Sequence, residues 1–162
     1  MTTKDQLIQY VNYNLWANGR LADIIIKLDP SLLDKEIKSS FPSLRKTVHH
    51  IWDAELAWLA RLKKEVVNWP PSAQFKDPSI QDFLKTSETV LNFVTAQPEI
   101  FFESSTAYKN SRGEAYEDNN HGIIMHCMNH STFHRGQIVT VLRELGVTQL
   151  PSTDLITFLH IK

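Results

Sequence analysis

The residues in this chain most suited to binding a metal ion are histidines spaced four positions apart. The segment "HCMNHSTFHRGQ", residues 126–137, contains His126, His130 and His134. Side chains four residues apart lie on one face of an α-helix, so two neighbouring imidazoles can share one ion. His126 and His134 would be separated by about 12 Å along such a helix, which is too far for one ion. The spacing therefore predicts that this segment supplies two ligands.

Helical periodicity indicates which two histidines face inward. At about 100° per residue, His134 falls inside the apolar arc of this segment, His130 lies at its edge, and His126 lies toward the flank. The arc is formed by Ile123, Cys127, Ile138, Val141 and Leu145. Buried imidazoles need either hydrogen-bond partners or a metal ion. The predicted inward pair is His130 and His134.

A third ligand is expected from another helix, because zinc and similar ions normally take at least three protein ligands. The segment "VHHIWDAELAWL", residues 48–59, offers His49 and His50. His50 can lean into a bundle, whereas His49 lies nearly opposite the apolar arc of its helix. Three imidazoles would leave one coordination position open for chemistry. Glu55 lies near the same arc and is the first candidate to test as a general base.

Four long segments have helical periodicity and must position these histidines. Thr3 with Gln6 predicts a capping box for the first, and Ser43 and Ser79 are natural N-caps for the second and third. A glycine, Gly146, ends the fourth. The predicted helices cover approximately residues 3–28, 44–64, 80–97 and 118–146.

The connections between the later helices are long. The segment "EVVNWPPSAQFKDP" separates the second and third helices. In the next connection, "FFESSTAY" and "EAY" flank "KNSRG", which predicts a short hairpin. Crossings of this length are typical of a bundle that is not simply up-down-up-down. The sequence therefore predicts an all-α, four-helix bundle forming one domain over residues 1–162.

Composition excludes several classes of protein. The chain of 162 residues has 17 basic and 18 acidic residues without a basic run, so we expect no nucleic-acid partner. Cys127 is the only cysteine, which excludes an internal disulfide and a cysteine-based zinc site. No apolar run is long enough for a membrane span, and the N-terminal segment does not resemble a signal peptide. We expect a cytoplasmic protein without a membrane partner.

The sequence resembles the DinB/YfiT-like superfamily over nearly its whole length. "HCMNHSTFHRGQIVTVLRELG" is similar to the signature helix of that family, "VHHIWDAELAWL" to its second helix, "YNLWANGRL" to its first, and "LPSTDLITFL" to its closing segment. The resemblance implies an up-down-down-up bundle that binds a divalent metal through His50, His130 and His134. It also implies a homodimer. The family pattern often has histidine where this chain has Phe133, a position that is not a ligand.

The function implied by this resemblance is metal-dependent chemistry on a small molecule. Characterised relatives include transferases and isomerases that use low-molecular-weight thiols, and hydrolases. A metal ion, Zn²⁺ or Ni²⁺ by ligand type, would activate water for hydrolysis or a thiol for transfer. The alternative is a non-catalytic metal-binding or structural dimerisation bundle, which a site sealed by side chains would favour. A ferritin-like di-iron site is disfavoured because no Glu-x-x-His pair occurs.

The first helix predicts how such a dimer forms. It carries apolar residues on more than one stripe, with Trp16 and Ile24 lying outside the main one. A second apolar stripe is either paired with another subunit or covered by the long connections. We expect pairing through a helical face.

Overall fold

The computed structural model describes residues 1–110 and 112–161, which are mostly helical. The long helices are α1 (Thr3–Ile25), α3 (Leu44–Leu62), α4 (Ile80–Ala96) and α6 (Asn120–Glu144). The short helices are α2 (Pro30–Leu33), α5 (Glu99–Glu103) and α7 (Leu155–Leu159), with a 3-10 helix at Pro71–Gln74. Strands β1 (Ser105–Lys109) and β2 (Ala115–Asn119) form the predicted hairpin, with Ser105 opposite Asn119.

Two of the predicted helix starts are confirmed. The Ser43 hydroxyl accepts the backbone N–H of Lys46 at the start of α3. Ser79 and Asp82 form a capping box at the start of α4, in which each side chain accepts the backbone N–H of the other residue. These caps satisfy N–H groups that have no partner within the helix.

The predicted capping box of α1 is wrong by one residue. Thr2, with extended backbone, is the N-cap, and its reciprocal partner is Asp5 rather than Gln6. Asp at this third helical position reaches back to the cap N–H over 2.9 Å, as Glu or Gln would in the usual box. The helix also ends earlier than predicted, because Asp29 caps the separate short helix α2.

The four long helices form the predicted bundle in up-down-down-up order. The Lys4 ammonium at the start of α1 donates to the Gln97 carbonyl after α4, over 2.6 Å, so these two helices are antiparallel. Helix α1 runs parallel to α6, since the first halves of both share one apolar cluster and the second halves share another. Helix α3 runs parallel to α4 by the same criterion. Within the described residues, no helix is long and apolar enough to cross a membrane.

A polar layer crosses the centre of the bundle. Glu55 Oε1 accepts from the amides of Asn14 and Asn18 at 2.7 and 3.0 Å. Its second oxygen accepts from the Ser87 hydroxyl at 2.6 Å. The Arg135 guanidinium donates to the side-chain oxygens of both asparagines. All of these side chains are buried, so two amides bridge a carboxylate and a guanidinium inside the core.

Candidate metal centre

Three histidines from two antiparallel helices meet where the first half of α3 faces the middle of α6. His50 comes from α3, and His130 and His134 come from α6. Each offers one potential ligand nitrogen, and these nitrogens all lie within 4.8 Å of one another. The Nε2 atoms of His50 and His130 are 3.0 Å apart. The structure thus brings together the three residues that the sequence analysis selected.

The neighbouring histidines lie outside this group. His49 packs edge-on against Trp52 of its own helix, with ring centroids 5.6 Å apart. His126 is exposed and packs against Trp58, and its ring centroid is 6.1 Å from that of His130. Both positions follow from the helical angles, which directed these side chains to the flanks.

The surroundings of the three imidazoles fit a bound cation. His130 Nδ1 is buried and has no hydrogen-bond partner among the residues that the structure describes, while its Nε2 faces another imidazole nitrogen. Burial lowers the pKa of His130 to about 4, helped by the charges that His134 and His50 would carry. Burial also lowers the pKa of His50. Both rings are therefore neutral near pH 7, which is the form that ligates metals. Two nitrogens bound to one tetrahedral zinc ion are about 3.3 Å apart. The Nε2 atoms of His50 and His130, 3.0 Å apart, are close to that separation.

Gln137 orients one of the three imidazoles. Its Oε1 accepts from His134 Nδ1 at 2.7 Å, which leaves Nε2 of that ring free to face the other two histidines. Its amide nitrogen donates to the hydroxyl of Ser40 in the loop before α3, over 2.8 Å. Gln137 is not among the residues predicted for the site, although its spacing of three residues from His134 on one helix was a usable signal.

Glu55 lies in the polar layer rather than beside the imidazoles. It is fully buried, and its oxygens accept hydrogen bonds from Asn14, Asn18 and Ser87. Burial raises the pKa of the Glu55 carboxyl, although the hydrogen bonds from Ser87 and the asparagines oppose this. These contacts support a structural role and argue against the general-base role that its sequence position suggested.

Aromatic side chains surround the open side of the histidine group. The Phe41 ring lies 4.3 Å from that of His50. Trp69, from the connection between α3 and α4, lies 6.3 Å from the His50 ring. Phe133 lies 5.0 Å from the His134 ring. His50 and His130 remain partly exposed between these rings, so the group is accessible from solvent.

A cavity of about 750 Å³ lies next to this region without containing the histidines. It is bounded by α3, α4 and the connection between them, and Trp69 is part of its wall. In the histidine group itself, His134 is buried, and His50 and His130 are partly exposed. The histidine group is the candidate functional site, because three potential ligand nitrogens converge there. The cavity is distinguished only by its volume.

The structure is an up-down-down-up helical bundle with a three-histidine candidate metal site. Comparison with known sequences identifies the family of such bundles to which it belongs. The model of the DinB family matches residues 1–162, so the chain belongs to the DinB family. Protein DinB of Bacillus subtilis (strain 168) is 23% identical over 158 residues, covering 91% of each chain.

Solved structures share this fold at low sequence identity. The DinB-like protein YjoA from Bacillus subtilis has a TM-score of 0.67 at 17% identity, covering 90% of this chain and 97% of that one. YfiT from Bacillus subtilis has a TM-score of 0.58 at 15% identity, covering 90% of this chain and 89% of that one. YfiT is described as a probable metal-dependent hydrolase with an unusual four-helix bundle topology.

Proposed function

We propose that this protein is a metal-dependent enzyme that uses His50, His130 and His134 to hold a divalent ion. The observation that carries the proposal is the convergence of three imidazole nitrogens within 4.8 Å on two rigid helices. The description of YfiT as a probable metal-dependent hydrolase supports the same chemistry here. Imidazole ligands suit Zn²⁺ and Ni²⁺ equally, so both belong to the proposal.

The reaction we propose is either hydrolysis of a small molecule or transfer of a low-molecular-weight thiol to a small molecule. A divalent ion at this site would lower the pKa of a bound water, to about 7 for zinc, or would convert a bound thiol to thiolate. Burial favours the neutral rings of His50 and His130, and Gln137 fixes the orientation of His134. Phe41 covers one face of His50 and restricts water there.

Two features favour an enzyme over a non-catalytic metal-binding or structural bundle. His50 and His130 are partly exposed, so side chains do not seal the site. His126 adds a further imidazole beside His130, at 6.1 Å between ring centroids, on the solvent side. That position suits a group that exchanges a proton with substrate through water, a role for which fully buried Glu55 is badly placed.

The proposal also covers the location of the protein in the cell and its assembly. We place the protein in the cytoplasm, as a homodimer that acts on a small molecule and takes neither nucleic acid nor membrane as a partner. The balance of 17 basic and 18 acidic residues supports the absence of nucleic-acid binding.

Activity assays on metal-restored protein test this proposal. Wild type, His130→Ala and His126→Gln would be loaded with Zn²⁺ or Ni²⁺ and assayed for transfer of 2-mercaptoethanol to an aryl halide and for hydrolysis of an aryl ester. We expect metal-dependent turnover that His130→Ala abolishes and that His126→Gln lowers without changing metal content. Equal rates for wild type and His130→Ala in both assays would favour the non-catalytic alternative.

A further inference from the structure

Two large aromatic side chains are exposed directly beside the histidine group. Phe133 is 65% exposed and Trp69 is 53% exposed, although isolated rings of this size are usually more buried. In the part of the chain that the structure describes, the exposed large aromatic side chains are Trp69, Tyr116 and Phe133. Two of these three border the same site, and the partly buried ring of Phe41 packs against His50 and His134.

These rings are attached to anchored segments. The Asp53 carboxylate accepts the backbone N–H of Ser72 at 2.7 Å, which ties the segment after Trp69 to α3. Phe133 projects from α6 itself, one residue before His134. The loop that carries Phe41 is tied to α6 through the hydrogen bond from Gln137 to Ser40. The exposed apolar surface is therefore held in place around the imidazoles.

The hydrogen bonds of the three imidazoles involve no charged side chain of the residues that the structure describes. Among the described residues, the hydrogen bonds of His50, His130 and His134 go only to one another and to Gln137. No charged side chain is thus held at these rings by a hydrogen bond, whereas three aromatic rings pack near them. Burying exposed apolar surface against a ligand is favourable in proportion to the area covered.

We infer that Phe133 and Trp69 select a substrate that carries an aryl or branched alkyl group within a few ångströms of the atom that approaches the histidines. The inference rests on the proposed function, because it takes the histidine group as the reaction centre. Phe133 provides the apolar surface on the α6 side of the site, and a polar side chain in its place would not favour an apolar group. The two rings are specificity residues and take no part in proton transfer.

Binding of two thiols to the Zn²⁺-loaded protein tests the inference without any turnover. Phenylmethanethiol and 2-mercaptoethanol share the thiol and differ in the group beside it. We expect calorimetric titration of wild type to give about tenfold tighter binding of phenylmethanethiol. Phe133→Ala, Phe133→His and Trp69→Ala should each reduce this preference severalfold and leave the affinity for 2-mercaptoethanol unchanged. Ile100→Ala, which removes a side chain that is 64% exposed on α5, should keep the full preference.

The outcomes separate this inference from the proposed function. Normal zinc uptake with an unchanged thiol preference in the aromatic variants would overturn the inference alone. Failure of wild type to take up zinc would overturn the proposed function and the inference with it. If Phe133→Ala or Trp69→Ala converted a dimer to a monomer in sedimentation, these rings would belong to a subunit contact, and their assignment to substrate would be wrong.

Discussion

Gln137 accepts a hydrogen bond from His134, with Oε1 2.7 Å from Nδ1. This contact fixes which nitrogen of the ring carries hydrogen and directs the other toward His50 and His130. We expect Gln137→Ala to weaken zinc binding by about 10- to 100-fold, as loss of such supporting contacts does elsewhere. Competition with a chromophoric chelator measures this. Asn129→Ala, at an exposed position on the same helix, is the control, and equal affinities for the two variants would contradict the role of Gln137.

The carboxylate of Glu55 should be important for stability and dispensable for chemistry. Glu55→Ala removes the carboxylate that accepts from the buried groups of Asn14, Asn18 and Ser87, so we expect a loss of about 3–5 kcal/mol in the free energy of unfolding. Glu55→Gln keeps one acceptor oxygen and should lose far less. Urea denaturation measures both, with Glu88→Gln on the exposed face of α4 as the control.

The stability of Glu55→Gln relative to wild type should depend on pH. Burial raises the pKa of Glu55 above its ordinary value of 4.5, so the folded protein favours the protonated carboxyl. The stability gained from the protonated Glu55 carboxyl is fully present below the pKa of this group in the unfolded chain. It is lost as the pH rises through the pKa of the group in the folded protein. The stability of Glu55→Gln relative to wild type should therefore increase from pH 4.5 toward neutral. A difference that is constant with pH would contradict the raised pKa, whereas loss of activity at full metal content would support the general-base role.

The helix-terminal residues show how far local sequence chemistry determines this fold. Ser43 and Ser79 were identified as caps because each precedes an apolar periodic run, and both act as predicted. The start of α1 was misplaced because two adjacent threonines can both cap, and only the reach of Asp5 decides between them. The fourth long helix was predicted to begin near Asp118, but the hairpin extends through Asn119 and delays it.

The candidate site was predictable where it lies on helices and unpredictable where it lies on loops. The 100° rotation per residue predicts His134 inside the apolar arc, His130 at its edge and His50 where it can lean into the bundle. Phe41 and Trp69 reach the site from connections whose paths depend on tertiary contacts, such as the hydrogen bond from Ser72 to Asp53. Periodicity carries no information about such contacts.

A homodimer remains a prediction, and the structure changes the surface expected to form it. Phe158 of α7 packs against Trp16 at 5.6 Å, so the C-terminal helix covers part of the outer stripe of α1. Exposed Met125 and Ile156 provide apolar surface on the neighbouring face. We expect sedimentation at micromolar concentration to give a dimer mass, which Met125→Asp lowers and Ile100→Asp does not. A monomer mass for wild type would contradict the predicted dimer.

Binding to duplex DNA should be weak. The 17 basic and 18 acidic residues give a formal charge of −1 and no basic run, so little counterion release is available. Fluorescence anisotropy with a labelled duplex near physiological salt should show no binding below micromolar protein. A sub-micromolar affinity that falls steeply with added salt would contradict this expectation.

The most direct test of the proposed metal centre is the metal content of the purified protein and its histidine variants after equilibration with Zn²⁺. Replacing His50, His130 or His134 by Ala removes one of three converging ligands and should abolish stoichiometric binding, leaving one ion per chain only in wild type and in His49→Ala. His49 adjoins His50 in sequence but packs against Trp52, so it controls for loss of an imidazole from the same helix. Full zinc occupancy in the variant lacking all three histidines would contradict the assignment.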